Sequence, residues 1–192
     1  PARAEKIIAE CKKTGKPVTC KMRIGLSANS INGLDFAKAV ENGGADMITV
    51  HGRTKDKIYA GEINCEEIAK IKRTVKVPVI ANGGIFSKDD AEKVMRETGA
   101  DGIMLARGAL ENPYLFSEIL SLPYKPDKYS LICEHIDLLK TVYEDRIVAV
   151  NFRKQLCLYL KGEKNSAELK QKVLRMTATD DIKKELKAFF AV

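Results

Sequence analysis

Pro78-Val79-Ile80-Ala81-Asn82-Gly83-Gly84-Ile85 is followed one unit later by Asp101-Gly102-Ile103-Met104-Leu105-Ala106-Arg107-Gly108-Ala109-Leu110. Each stretch is a short apolar run that ends in glycine-bearing residues at the edge of a helical pattern. Glycine lets backbone N–H groups close on phosphate oxygens, a helix N-terminus favours negative charge, and Arg107 adds a fork of donors. Two consecutive loops of this kind match the phosphate rim of a (β/α)8 barrel, formed after its last two strands. A pair of tight strand-to-helix turns would share the glycines, and it is the doubling that favours the rim.

Outward from this rim, the first 110 residues alternate strand and helix patterns. Strands are expected over 18–23, 47–51, 77–82 and 102–105, each short and rich in Val, Ile or Met. Helices are expected over 2–13, 34–41, 66–75 and 88–97. Gly15, Gly43 and Gly99 follow helices as left-handed caps. Asn64 and Ser87 precede helices, and Ser87 with Asp90 forms a capping box. This order implies a parallel α/β sheet, either open and doubly wound or part of a barrel. If the two glycine loops follow the last two of eight strands, the chain carries strands 5–8 of a TIM barrel. Two unpaired edges and an uncovered inner face then predict low stability or self-association.

After Pro123 the pattern changes. Leu122-Pro123-Tyr124-Lys125-Pro126 reads as a linker, dividing the chain into residues 1–122 and 123–192. Beyond it, Ile132, Ile136 and Leu139, then Phe152, Leu156 and Leu160, then Leu169, Val173 and Met176 recur at helical spacing. Three or four helices are expected to form a small bundle, with Phe189 and Phe190 docking its end.

The net charge of +7 is uneven. Residues 1–122 hold 19 Lys/Arg against 16 Asp/Glu, whereas 146–187 hold 11 against 5. That late surplus suits a polyanion, or a solvated helical surface. Five cysteines with no close pair, and two distant histidines, argue against a structural zinc site or a disulfide framework and fit a reducing cytoplasm. No apolar run approaches the ~20 residues of a membrane span. The chain opens on Pro1 within a helical pattern, which suggests a fragment or a processed product.

Strand ends carry the remaining polar candidates. Alternation along Val18-Thr19-Cys20-Lys21-Met22-Arg23 puts Thr19, Lys21 and Arg23 on one face. A lysine within a buried strand needs an anion or an ion pair, and either reading is open. His51-Gly52-Arg53 ends the next strand with two donors flanking a glycine.

Pro-Val-Thr-Cys-Lys-Met-Arg (17–23), Val-His-Gly-Arg-Thr (50–54), residues 78–85 and Met-Leu-Ala-Arg-Gly-Ala-Leu (104–110) together resemble the tRNA-dihydrouridine synthases. Phe152-Arg153-Lys154-Gln155-Leu156 with Tyr159-Leu160 resembles the start of that family's helical tRNA-binding domain. The resemblance implies FMN-dependent reduction of uridine in tRNA, with NADPH as electron source, by a monomeric whole protein. It implies FMN contacts from Lys21, His51, Asn82, Gly83, Gly84, Ala106 and Arg107. It implies substrate contacts from Arg53, Arg153 and Lys154, and no metal. The family's general acid is a cysteine in Asn-x-Gly-Cys-Pro, and no such motif occurs here. The chain alone is therefore expected to be inactive. A flavin barrel acting on a small metabolite and a non-catalytic RNA-binding module are the competing readings.

Overall fold

The βα alternation of the first 110 residues folds as α1 (Ala2–Lys12), β1 (Thr19–Arg23), α2 (Gly33–Asn42), β2 (Met47–His51), α3 (Cys65–Thr74), β3 (Val79–Asn82), α4 (Lys88–Thr98) and β4 (Gly102–Met104). The computed structural model describes residues 1–123 and 127–190. The chain divides into two compact units, Pro1–Gly108 and Ala109–Val192.

In the first unit the strands pair in parallel, in the order β1-β2-β3-β4. Every crossover therefore steps the same way, and crossovers of one hand then place their helices on one face. A doubly wound sheet reverses direction at a switch point, and this one does not. The winding is consistent with a partial (β/α)8 barrel. Burial follows the pleat. Met22, Ile48, Val50, Val79 and Ala81 are buried on one face, while Thr19 and Lys21 on the other are exposed. Lys21 thus escapes the desolvation expected of a buried strand lysine because its strand lies at the sheet edge, whereas Thr49 and His51 on the same face of the next strand are buried.

Three carboxylates clasp the N-terminal ends of the strands. Asp46 accepts from the Val18 N–H (2.6 Å) and from Lys12, and Asp101 accepts from the Val79 N–H (2.7 Å) and from Lys72. Each sits in a Gly-Ala-Asp turn, 44–46 and 99–101, so the two loops repeat one device. Their lysines, followed by those backbone donors, hold both carboxyls below the usual range. Glu41 takes the N–H groups of Lys76 (2.6 Å) and Val77 (3.2 Å). Those two N–H groups are therefore spent before the ladder begins, and β3 starts at Val79 rather than Val77.

The caps mostly follow sequence. Ser87 and Asp90 form a complete capping box, Asn64 accepts from the Glu67 N–H, and Gly99 is left-handed. Gly43 departs from the left-handed cap expected of it. Its φ is −67°, and the left-handed residue is Gly44 at +92°. Gly43 serves close packing instead, since a Cβ there would lie 2.6 Å from the Glu5 carbonyl oxygen.

The second unit contains α6 (Leu115–Ile119), α7 (Lys128–Lys140), α8 (Asp145–Tyr159), α9 (Ser166–Val173) and α10 (Thr179–Phe190), with α5 (Arg107–Glu111) straddling the division. Ile132, Ile136, Phe152, Leu156, Val173 and Leu186 belong to one buried cluster, with Phe189 and Phe190 packed against it. Asp145 fastens α8 to α10 by accepting from the Thr179 N–H and hydroxyl, and these bonds draw its pKa down to about 2. The division falls upstream of the expected boundary at 122/123. Lys161 pairs with Glu111 (2.7 Å), and Gln155 reaches the Leu110 carbonyl, so this segment is tied to α8. Residues 124–126 of the expected linker lie outside the described residues. No helix among the described residues is long and apolar enough to cross a membrane.

Candidate functional site

In parallel register, Arg23, His51, Asn82 and Met104 are the last residues of their strands and form one row across the sheet. Lys21 lies one pleat deeper on the same face, opposite Thr49. This is the C-terminal edge, where open polar groups of parallel α/β proteins converge. Above the row lies a cavity of about 210 Å³. Lys21, His51, Arg53, Asn82, Gly83, Gly84, Ala106 and Arg107 all line it. Residues far apart in sequence therefore meet in one place. Arg153 and Lys154 lie on α8 in the other unit. Arg153 is half-buried and donates to the Met176 carbonyl, leaving its Nε buried without a partner, whereas Lys154 is exposed.

Glycine builds the floor at one decisive point. Gly83 has φ +111°, and a Cβ there would lie 2.7 Å from Cδ2 of His51 and 2.9 Å from Cγ2 of Ile63. The bare backbone thus lets the imidazole lie against the loop. The N–H groups of Gly83 and Gly84 have no protein acceptor among the described residues, and they border the cavity. Asn82 is fixed by donating from Nδ2 to the Met104 carbonyl (2.8 Å).

Four cations meet here without counter-charge. Among the described residues Lys21, Arg23, Arg53 and Arg107 make no ion pair with a carboxylate. Arg23 donates to the carbonyls of Thr54 (2.7 Å) and Ile58 (3.2 Å), and Arg53 donates twice to the carbonyl of Gly61 (3.1 and 2.6 Å). The Arg107 guanidinium lies 4.1 Å from the Tyr59 ring centroid and 5.5 Å from that of Phe86. Burial, then repulsion from Arg107 and Arg23, lowers the pKa of Arg53. An anion in the cavity would relieve that repulsion, and free backbone donors are already in place. The donor set fits a phosphate. Among the described residues, no group of three or more His, Cys, Asp or Glu could hold a metal ion.

His51 is 6% exposed, and burial followed by Arg23, Lys21, Arg53 and Arg107 pushes its pKa down to about 4. It is neutral at pH 7 and can both donate and accept. Unfolded, a histidine titrates near ~6.5, so on acidification the unfolded chain takes up this proton first. The stability contributed by neutral His51 is complete above that value and is lost as pH falls towards about 4. Urea melts from pH 7 to 4 should show the loss, about 2–3 kcal/mol at full extent. His51→Asn should remove it, and parallel profiles for the two proteins would refute the assignment.

Six lining residues were not expected as ligand contacts, and of these Ile85, Met104 and Gly108 lie within the two glycine-bearing stretches of the rim. Arg23 carried a signal, since alternation already grouped it with Lys21. Phe86 follows the glycine loop directly and is 40% exposed, although the residue preceding a helix cap often packs inward. Tyr59 left no trace, because residues 55–61 have no periodicity. None of the five cysteines lines the cavity. Cys20 points to the opposite face of β1, and burial raises its pKa. Cys65 opens α3 but is pushed up to about 11 by burial and then by Glu97.

The dihydrouridine synthase family model matches residues 1–192. The chain belongs to the dihydrouridine synthase family. Among relatives, the probable tRNA-dihydrouridine synthase of Rickettsia conorii is 36% identical over 183 residues, covering 91% of this chain and 55% of that protein. The tRNA-dihydrouridine synthase B of Pseudomonas aeruginosa is 34% identical, covering 98% of this chain and 59% of its own length. The probable tRNA-dihydrouridine synthase 1 of Synechocystis is 35% identical, covering 86% and 49%. The chain thus spans about half the length of the dihydrouridine synthases it matches.

Proposed function

We propose that this chain is the FMN-binding and tRNA-binding part of a tRNA-dihydrouridine synthase. In this reading its strands are 5–8 of a (β/α)8 barrel, followed by a helical tRNA-binding domain. The observation that carries it is the cavity at the strand ends, with four uncompensated cations and two free glycine N–H groups. Membership of the family supports it.

Asn82, Gly83, Gly84, Ala106 and Arg107 would hold the FMN phosphate. When bound, FMN supplies two-electron hydride chemistry, oxidising NADPH and reducing the C5–C6 double bond of uridine. Lys21 supplies positive charge that favours a reduced, anionic ring. Neutral His51 would lie beside that ring, able to donate to a carbonyl without carrying charge into the site. Arg53 faces the ring or the uracil. A uridine within folded tRNA must be turned out of its stack to reach these groups. On α8, exposed Lys154 reaches the RNA backbone, and Arg153 contributes through its remaining donors.

None of the five cysteines lines the cavity, and in this reading the chain by itself does not complete the reaction. Incubated with FMN, NADPH and an unmodified tRNA transcript, it should form no dihydrouridine. It should nonetheless bind that transcript with an affinity that falls as salt rises. Absence of salt-sensitive tRNA binding would favour a flavin barrel for a small metabolite. Binding of tRNA by a chain that takes up no FMN would favour a non-catalytic RNA-binding module.

A further inference from the structure

The segment 54–61 crosses the cavity edge under unusual restraint. It has no regular secondary structure, and its first residues are anchored by Thr54 donating to Asp56 and by the Lys55 and Asp56 N–H groups donating to the Gly25 and Leu26 carbonyls. Ile58 and Tyr59 are 59% and 56% exposed. Ile58 sits at φ +49°, a left-handed conformation that a β-branched residue rarely takes. Such strain persists only where the surroundings impose it. Here three arginines of the cavity restrain it, together with turn hydrogen bonds from the Ile58 N–H to the Lys55 carbonyl and from the Ala60 N–H to the Lys57 carbonyl. Arg23 donates to the carbonyls of Thr54 and Ile58, Arg53 donates to that of Gly61, and Arg107 lies over the Tyr59 ring.

Among the described residues Arg107, unlike Arg23 and Arg53, makes no hydrogen bond, so the aromatic faces orient it. A guanidinium stacked at 4.1 Å keeps its edge donors free, because a cation–π contact uses the plane and not the N–H groups. Phe86, at 5.5 Å, lies at the mouth of the glycine loop that offers the Gly83 and Gly84 N–H groups. The stack therefore holds the fork beside those backbone donors before any ligand arrives.

The geometry assigns Tyr59 as a positioning residue for the anion site, holding Arg107 in place through the restrained 54–61 strap. This rests on the flavin phosphate reading above. Tyr59 acts through Arg107, so its contribution belongs to the phosphate of a ligand and not to its ring. That separates it from a residue that stacks on flavin directly.

The test titrates FMN and riboflavin, which differ only in the phosphate, against the wild-type chain, Tyr59→Phe and Tyr59→Leu, following flavin fluorescence. Tyr59→Phe keeps the π face and should bind both ligands as wild type does. Tyr59→Leu should weaken FMN about tenfold, about 1.4 kcal/mol, and leave riboflavin unchanged. In an Arg107→Leu background the same change should have no further effect on FMN. Equal weakening of FMN and riboflavin by Tyr59→Leu would overturn the assignment, as would full FMN affinity in that variant. If wild type does not prefer FMN to riboflavin, the phosphate reading itself fails and the assignment falls with it. Far-ultraviolet circular dichroism of each variant establishes that the fold is retained, as the exposure of Tyr59 leads one to expect.

Discussion

Gly83→Ala is expected to be the most damaging single-methyl change at the site. Two costs add there. At φ +111° an alanine is strained whatever room surrounds it. Its Cβ would also lie 2.7 Å from Cδ2 of His51, 3.0 Å from Nε2 and 2.9 Å from Cγ2 of Ile63. His51 is buried, and it cannot swing aside without disturbing the row it shares with Arg23 and Asn82. Strain and overpacking together should cost about 2–4 kcal/mol, read from urea denaturation. FMN affinity should fall by more than about tenfold, since the free Gly83 N–H moves with the loop. Gly84→Ala is the control. Its φ of +71° also disfavours alanine, but the nearest atom to its Cβ is 3.6 Å away, so a loss of only about 1 kcal/mol is expected. Equal effects at the two positions would show that the His51 contact is not what requires glycine.

Arg107→Glu should separate binding from stability. The substitution replaces a donor fork at the proposed phosphate site with a charge like the phosphate's own, and FMN affinity should fall about 100-fold or more, about 2.7 kcal/mol. Riboflavin binding should hardly change. Stability should change little, because Arg107 makes no ion pair among the described residues. Its removal also relieves the repulsion on Arg53, of which it is the leading charged source, and some of that on His51. The lost contacts with Tyr59 and Phe86 work the other way, at about 0.5–1 kcal/mol for an exposed stack. A variant that unfolds at far lower urea would mean that Arg107 is structural.

The parts of this site that were legible in the sequence are those whose chemistry is local. The paired glycines after β3, the Arg107-Gly108 step and the His-Gly-Arg end of β2 all mark where strands stop and backbone is exposed. Period-2 alternation placed Lys21 and Arg23 on the correct face. It could not say that β1 lies at the sheet edge, because cover depends on neighbours and not on the strand itself. Lys21 is accordingly exposed, not buried. Tyr59 was invisible for a related reason. Its position comes from arginine donors finding backbone carbonyls at Thr54, Ile58 and Gly61, and a carbonyl acceptor leaves no mark on residue type. Pro123 and Pro126 dominate local composition and so draw the expected boundary to themselves. The Lys161–Glu111 pair, fifty positions apart, ties the preceding turn to the helices instead. Gly43 and Gly44 show the limit of glycine as punctuation. Adjacent glycines can divide two duties, close packing and a left-handed turn, and sequence does not say which takes which.

The most direct test of the phosphate site compares FMN with riboflavin on the wild-type chain at moderate salt, by quenching of flavin fluorescence. Four uncompensated cations and two free N–H groups predict saturable binding, with FMN at least about tenfold tighter than riboflavin. Raising the salt should narrow that difference. Equal affinities, or no FMN binding at all, would contradict the assignment of this cavity.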